Sequence, residues 1–153
     1  MSLNGQIAPD FTLPRDGGGE ITLSSLRPQK VVLYFYPRDD TSGCTREALD
    51  FTEHQPAFDA ARTVIVGVSK DTVRKHNTFI AKHGLGVILA SDAESDVCER
   101  YGTWIEKSMY GRKFMGVVRS TFLIDADGKL RKEWRNVKVK GHAEAVLEAV
   151  KAL

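Results

Sequence analysis

The sequence predicts a single α/β domain, residues 1–153, in which helices cover both faces of a mixed central sheet. Two patterns lead to this prediction. Runs of apolar and β-branched residues, such as KVVLYFYP (30–37) and RTVIVGVSK (62–70), are typical of strands that are buried on both faces. Segments with apolar residues at spacings of three and four alternate with these runs, which indicates helices packed on a layered sheet.

The elements can be assigned in chain order. Residues 10–26 form an N-terminal hairpin that turns at Asp16–Gly19, because apolar residues alternate on both sides of the glycines. The strand at 30–37 is followed by a helix from Gly43 to about Ala61, which Pro56 interrupts. The remaining elements alternate as strand 62–70, helix 71–84, strand 86–92, helix 93–102, hairpin 116–137 and helix 141–153.

This order resembles a thioredoxin-type sheet that carries insertions. After the N-terminal hairpin it is β-α-β-α-β-α-β-β-α, so a thioredoxin-like fold is expected. A fold-level likeness does not by itself imply a function.

The stretch KSMYGRKFMG (107–116) carries several basic residues, and we interpret it as a solvated loop.

Composition and charge exclude several classes of protein. With 153 residues, 42% of them hydrophobic, the chain can build a stable core without disulfides, and its net charge of +2 gives no reason to expect nucleic acid or membrane as a partner. No run approaches the ~18 apolar residues of a membrane span, and no signal peptide is visible. Two cysteines are not a disulfide framework, so we expect a cytoplasmic protein with reduced thiols. Without a long exposed apolar stretch, it is expected to be a monomer or weak homodimer.

Cys44 is the first candidate for chemistry. It follows the loop PRDDTSG and stands at the start of the predicted helix. A free thiol is only a few per cent thiolate at neutral pH, so catalysis needs surroundings that stabilise negative charge. The N–H groups of Gly43 and Cys44 belong to the positive end of the helix, and Gly43 has no side chain to block access to them.

Three more residues are candidates for the same site. Arg119 is expected inside the apolar strand GVVRSTFLI, so it either reaches water at a sheet edge or points over the end of the sheet toward Cys44. Thr41 can cap the helix, or it can donate a hydrogen bond to an oxygen bound beside the thiol. Pro37 ends the strand and either shapes the turn or shields the thiol from water.

These residues carry a resemblance to a known family. The segment PRDDTSGC fits the peroxiredoxin pattern P-x-x-x-T-x-x-C, and YFYPRDDTSGCTREALDF resembles the bacterioferritin comigratory protein, or PrxQ-like, subgroup. The segments APDFTLPRDGGGEITLSSLR and RSTFLIDADGKLRKEW agree, so the resemblance covers nearly the whole chain. It implies a thioredoxin-like fold and a thiol-dependent peroxidase that reduces hydrogen peroxide or organic hydroperoxides without a metal or other cofactor.

The resemblance also implies a role for each candidate residue. Cys44 is the nucleophile that attacks the peroxide and becomes a sulfenic acid. Thr41 and Arg119 hold and polarise the peroxide oxygens, and Pro37 shapes the pocket. The N–H groups of Gly43 and Cys44 stabilise the charge that moves between the oxygens.

The second thiol of the reaction is not where the subgroup usually has it. Many members carry it five residues after the first, where this chain has Leu49, and others carry it on the next helix, here roughly 71–83, which has no cysteine. Cys98 is interpreted either as a small, half-buried hydrophobic residue or as an unusual resolving cysteine, within one chain or between two. We therefore hypothesise a one-cysteine mechanism with an external thiol reductant, such as thioredoxin or glutaredoxin; a two-cysteine mechanism through Cys98 is the alternative.

Three other functions are weighed against this hypothesis. A disulfide reductase needs C-x-x-C, whereas Cys44 is followed by Thr-Arg-Glu. A non-catalytic binding or chaperone module stays open, with Leu49 as the mark of a lost activity, although the intact peroxide-site residues argue against such a loss. A zinc site needs clustered ligands. The four histidines are spread through the chain, and each is expected at the surface or at a helix end: His54, His76, His83 and His142.

Overall fold

The computed structural model describes residues 3–153; the first two residues of the predicted domain 1–153 lie outside that range. Nine strands and five α-helices are present within the described part. In chain order they are β1 (Thr12–Pro14), β2 (Glu20–Thr22), β3 (Lys30–Phe35), α1 (Ser42–Glu53), α2 (Gln55–Ala60), β4 (Thr63–Ser69), α3 (Val73–His83), β5 (Ile88–Ser91), α4 (Val97–Arg100), β6 (Trp104–Met109), β7 (Arg112–Val117), β8 (Ser120–Ile124), β9 (Leu130–Arg135) and α5 (His142–Lys151).

The central sheet has five strands in the order β5-β4-β3-β8-β9. Strands β3, β4 and β5 are parallel, while β8 and β9 join antiparallel, so the predicted mixed sheet is confirmed. Strand β3 occupies the middle because its run KVVLYF offers apolar side chains to both faces, and every residue from Val31 to Phe35 is buried. The parallel pairs need crossover connections, and α1 with α2, and then α3, supply them.

Alternating residues of β3 enter two separate hydrophobic cores. Leu33 belongs to a core that contains the N-terminal hairpin and Cys98 of α4. Tyr34 belongs to the other core, to which α1, α2, α3 and α5 contribute and which contains Cys44. Successive side chains of a strand point to opposite faces of its sheet. The two cysteines of the chain therefore lie on opposite faces of the central sheet.

Two details of the sequence prediction are confirmed. The N-terminal hairpin forms, with Leu13 opposite Ile21 in an antiparallel pair. The predicted helix 43–61 is divided at His54 into α1 and α2, and Pro56 lies in the first turn of α2. A proline is tolerated there because an N–H at that position has no partner inside the helix.

Three local expectations are wrong. The stretch 107–116 is not a loop, because it forms most of the β6–β7 hairpin. Both strands of that hairpin are largely exposed, so their sequence lacks the alternation of a half-buried strand. Arg119 lies in the short break between β7 and β8 rather than inside a strand, because the apolar pattern continues across the break. The predicted helix 93–102 is too long, because only the single turn of α4 is helical in this segment.

His76 is not at the surface, although it lies near the start of α3. It is fully buried, and both ring nitrogens have partners there: one contacts Asp39 and the other contacts the Ala90 carbonyl. Within residues 3–153, no group of three or more His, Cys, Asp and Glu side chains is arranged to hold a metal ion. No helix in the same range is both long and apolar enough to cross a bilayer.

Candidate active site

Cys44 lies near the start of α1, directly after the loop that leaves the end of β3. The hydrogen-bond ladder of α1 begins with the bond from the Thr45 N–H to the Thr41 carbonyl, at 2.8 Å, so the amides of the residues between them precede the ladder. Cys44 is only 2% exposed. The structure thus holds a buried thiol at the positive end of a helix dipole, where negative charge is stabilised.

Arg119 contacts this thiol from a distant part of the chain. Its Nη2 atom lies 3.5 Å from the Cys44 Sγ atom, and its Nη1 atom donates a hydrogen bond of 2.8 Å to Glu47 Oε1. Of the two orientations that the sequence leaves open, the structure has the one toward Cys44. A guanidinium at this distance, in a largely buried position, attracts negative charge on the sulfur.

Gly43 permits this close approach of the guanidinium. A Cβ atom built at Gly43 would lie 3.0 Å from Nη2 of Arg119, which is tighter than an ordinary van der Waals contact. The absence of a side chain at Gly43 therefore leaves room for the Arg119 guanidinium, and it also keeps the backbone amides accessible. Only the access to the amides is predicted from the sequence.

Glu47 is a site residue that was not predicted from the sequence. It lies one helical turn after Cys44 and its side chain is only 1% exposed. Its Oε1 atom pairs with Arg119, whereas its Oε2 atom is buried with no hydrogen-bond partner among residues 3–153. Burial raises the pKa of Glu47 to about 7, although Arg119 opposes the rise. A carboxylate on the apolar face of α1, between Cys44 and Phe51, is the sequence signal that could have revealed it.

Two cations with different properties line the site. Burial lowers the pKa of Arg119, but Glu47 and Cys44 together outweigh it, so the pKa is raised and the guanidinium stays charged. Lys107 of β6 is the second cation, and its Nζ atom donates a hydrogen bond of 2.5 Å to the Val117 carbonyl. Burial, together with repulsion from Arg119, lowers the pKa of Lys107. The β6–β7 hairpin, which the sequence predicts to be a loop, therefore contributes a charge that interacts with Cys44 and Arg119.

Thr41 and Pro37 frame the loop before the thiol. Thr41 is the N-cap residue of α1, but its hydroxyl makes no capping bond and donates instead to the Arg38 carbonyl at 3.0 Å. The interpretation of its side chain as a helix cap is therefore wrong. Strand β3 ends at Phe35, so Pro37 does not end the strand as expected; it is exposed two residues later, and its role in shaping the pocket stays a prediction.

Comparison with known proteins identifies the family. Residues 4–133 match the model of the AhpC/TSA family. The chain belongs to the AhpC/TSA family.

Relatives of this AhpC/TSA protein agree along nearly its whole length. Peroxiredoxin Bcp of Bacillus subtilis is 46% identical over 147 residues, which are 96% of this chain and 94% of that protein. Peroxiredoxin Bcp of Escherichia coli is 37% identical over 147 residues, with the same coverage of 96% and 94%. A structure of Xanthomonas campestris peroxiredoxin Q has a TM-score of 0.89 at 45% identity, covering 93% of this chain and 90% of that one. The predicted thioredoxin-like fold and the class of thiol-dependent peroxidase are thereby confirmed.

In this AhpC/TSA protein, Cys98 lies away from the site around Cys44. It is fully buried rather than half-buried, on the opposite face of the sheet, and its N–H donates to Asp92 Oδ2 at 2.8 Å. Burial, assisted by the negative charge of Asp92, raises the pKa of its thiol far above the ordinary range. Both cysteines are free thiols. A disulfide requires Cα atoms within ~7 Å, and a layer of sheet separates these two residues.

Proposed function

We propose that this thiol-dependent peroxidase reduces hydrogen peroxide and organic hydroperoxides by a one-cysteine mechanism, with Cys44 as the nucleophile and an external thiol as the reductant. One observation carries the proposal: Nη2 of Arg119 lies 3.5 Å from Cys44 Sγ at a helix N-terminus, while the other thiol is on the opposite face of the sheet.

In the first step the Cys44 thiolate attacks one oxygen of the peroxide. The S–O bond forms as the O–O bond breaks, the sulfur is oxidised to a sulfenic acid, and the second oxygen leaves with a proton as water or an alcohol. Arg119 and the amides of Gly43 and Cys44 donate hydrogen bonds to the oxygens as charge moves between them. The Thr41 hydroxyl, turned from the Arg38 carbonyl, donates to a peroxide oxygen, and Pro37 shapes the mouth of the pocket.

In the second step an external thiol attacks the sulfenic sulfur and releases water. The mixed disulfide that results is broken by a second thiol, which restores Cys44. A thioredoxin- or glutaredoxin-like protein or a small thiol fits this requirement. Until it arrives, Cys44 is open to further oxidation to sulfinic and sulfonic acid. We retain the prediction of a cytoplasmic protein that is a monomer or weak homodimer.

A relative supports the inclusion of organic hydroperoxides. The bacterioferritin comigratory protein of Xanthomonas campestris, with a TM-score of 0.88 and 44% identity, has alkyl peroxide reduction activity. We propose the same class of substrate for this chain, alongside hydrogen peroxide.

The proposal predicts the mass of the protein after one equivalent of hydrogen peroxide. The reduced wild type is expected to consume that equivalent and gain one oxygen atom, because the sulfenic acid finds no second thiol within reach. Cys44→Ser is expected to consume none. Intact-protein mass spectrometry measures the change directly. A loss of two hydrogens or a dimer mass would contradict the one-cysteine mechanism, and a wild type that consumes no peroxide would favour the binding or chaperone module.

A second prediction concerns Cys98. Cys98→Ser is expected to sustain repeated turnover at the wild-type rate with thioredoxin, glutaredoxin or dithiothreitol, because its sulfur is buried behind the sheet. Peroxide consumption over many equivalents is the measurement, and serine is nearly isosteric, so the buried packing changes little. A variant that completes the first turnover and then stops would identify Cys98 as a resolving cysteine.

A further inference from the structure

The loop between β3 and α1 is fixed to α3 by a buried pair that the proposed chemistry does not use. The Oδ2 atom of Asp39 lies 2.6 Å from Nδ1 of His76, and Oδ1 accepts a hydrogen bond of 2.5 Å from the Tyr36 hydroxyl. The His76 side chain is 0% exposed and that of Asp39 is 5% exposed. Titratable groups at this depth are retained only with good partners, which makes the pair a candidate for a specific task.

The hydrogen bonds define which atoms of the pair carry hydrogen. Nε2 of His76 lies 3.0 Å from the Ala90 carbonyl, which can only accept, so Nε2 carries a hydrogen atom. The 2.6 Å contact between Nδ1 and Asp39 needs a further proton between the two atoms. Burial raises the pKa of the Tyr36 hydroxyl, which therefore remains a donor. All of these polar atoms are paired only when Asp39 and His76 share one proton.

Other contacts fasten the same loop. The N–H of Asp39 donates to Asp71 Oδ2 at 2.7 Å, just before α3 begins. The next residue, Asp40, has a φ of 61°, and its carboxylate pairs with Lys82 and His83 at the end of α3. A left-handed conformation at a residue other than glycine persists only where surrounding contacts hold it. The loop is thus attached at both ends of α3, with the Asp39–His76 pair between the two attachments.

We propose that the Asp39–His76 pair positions Thr41 and the first turn of α1 for reaction with the peroxide. Asp39 comes two residues before Thr41 and five before Cys44, so a displacement of Asp39 moves the groups arranged around the sulfur. Neither Asp39 nor His76 contacts the thiol in the structure, so both are positioning residues. The inference rests on the proposed peroxide chemistry at Cys44.

Four variants test the pair. Asp39→Ala and His76→Phe remove its two sides. Asp39→Asn is the conservative variant, because its amide can donate to Nδ1 of a neutral His76 ring while its oxygen accepts from Tyr36. Asn77→Ala is the matched control: Asn77 neighbours His76 on α3, and its side chain accepts from the Gly17 N–H at 2.8 Å, which ties α3 to the N-terminal hairpin instead.

The measured quantity is the second-order rate constant of Cys44 oxidation by hydrogen peroxide, obtained by stopped flow. Asp39→Ala and His76→Phe are expected to slow it about 10- to 100-fold, the effect of misplacing a reacting group by roughly 1 Å. Asp39→Asn and Asn77→Ala are expected to stay near the wild-type rate. Reduction of the preformed sulfenic acid by a small thiol, measured separately, is expected to be unchanged in all four variants, whereas general destabilisation of the fold would change both steps.

Equal rates for Asp39→Ala and Asn77→Ala would overturn the inference, as would an Asp39→Asn variant as slow as Asp39→Ala. If His76→Phe fails to fold, the comparison of Asp39→Ala with Asp39→Asn tests the inference by itself, because both variants alter a loop and leave the packing of α3 intact. A wild type that does not react with peroxide would overturn the proposed function and this inference together. An active wild type with unaffected variants would overturn the inference alone.

Discussion

Arg119→Leu is expected to slow the reaction of Cys44 with hydrogen peroxide by about 100- to 1,000-fold, the loss that follows removal of a preorganised donor from a buried site. The guanidinium lies 3.5 Å from the sulfur, where it can favour negative charge on the sulfur and donate to the peroxide oxygens. Leucine fills much of the same space but supplies neither charge nor donors. The stopped-flow rate constant for sulfenic acid formation measures the change.

Loss of stability is the main alternative explanation for such a result. Arg119→Leu leaves Glu47 buried without its cation, and breaking a buried pair in this way costs about 3–5 kcal/mol. The double variant Arg119→Leu/Glu47→Gln removes the uncompensated carboxylate. It is expected to recover most of the lost stability while remaining as slow as the single variant, so the two effects separate.

Arg135→Leu is the matched control for Arg119→Leu. Arg135 is more exposed than Arg119, and its guanidinium pairs with Glu133 and donates to the carbonyls of Tyr101 and Gly102 rather than facing Cys44. This control is expected to react with peroxide at the wild-type rate. An Arg119→Leu variant that also reacts at the wild-type rate would remove Arg119 from the mechanism.

Glu47→Gln is expected to abolish a pH-dependent change of about 3 kcal/mol in the free energy of unfolding, since one pKa unit corresponds to about 1.36 kcal/mol. The pKa of Glu47 rises from 4.5 in an ordinary environment to about 7 in the folded protein, chiefly through burial. Below pH 4.5 the carboxyl is protonated in both the folded and the unfolded chain. Between those two values the unfolded chain releases the proton and the folded chain keeps it, so stability falls as the pH rises. Above about 7 the loss is complete.

Glutamine is neutral throughout this range, so the free energy of unfolding of Glu47→Gln does not show the fall with pH that titration of Glu47 causes. Urea unfolding at a series of pH values between 4 and 8 measures the difference between wild type and variant. Glu53→Gln is the control, because Glu53 is exposed at the end of the same helix. A difference between wild type and Glu47→Gln that does not change with pH would contradict the proposed titration of Glu47.

Much of the fold follows from local sequence patterns. Strand β3 is recognisable because it is apolar on both faces, and the break between α1 and α2 is recognisable from Pro56. The position of Cys44 likewise follows from a strand, a short loop and a helix that are consecutive in the chain. The β6–β7 hairpin escapes the same approach, because its exposed strands leave no alternating pattern to find.

The parts of the site that depend on distant contacts could not be predicted in this way. Glu47 and Arg119 are 72 residues apart, and Asp39 and His76 are 37 apart. A buried cation in an apolar segment requires a partner, but the cost of burial does not say which one. The sequence therefore leaves two orientations open for Arg119, and it gives His76 no feature that distinguishes it from a surface histidine.

The sheet between the two thiols has a kinetic consequence under the proposed mechanism. An enzyme that closes a disulfide within its own chain leaves the sulfenic state at a rate that does not depend on dilution. Here the sulfenic acid must react with a separate thiol molecule. The recovery time after an oxidative pulse is therefore inversely proportional to the concentration of that thiol. The fraction of the protein that has Cys44 reduced and ready to react therefore depends on the reducing capacity of the surrounding solution.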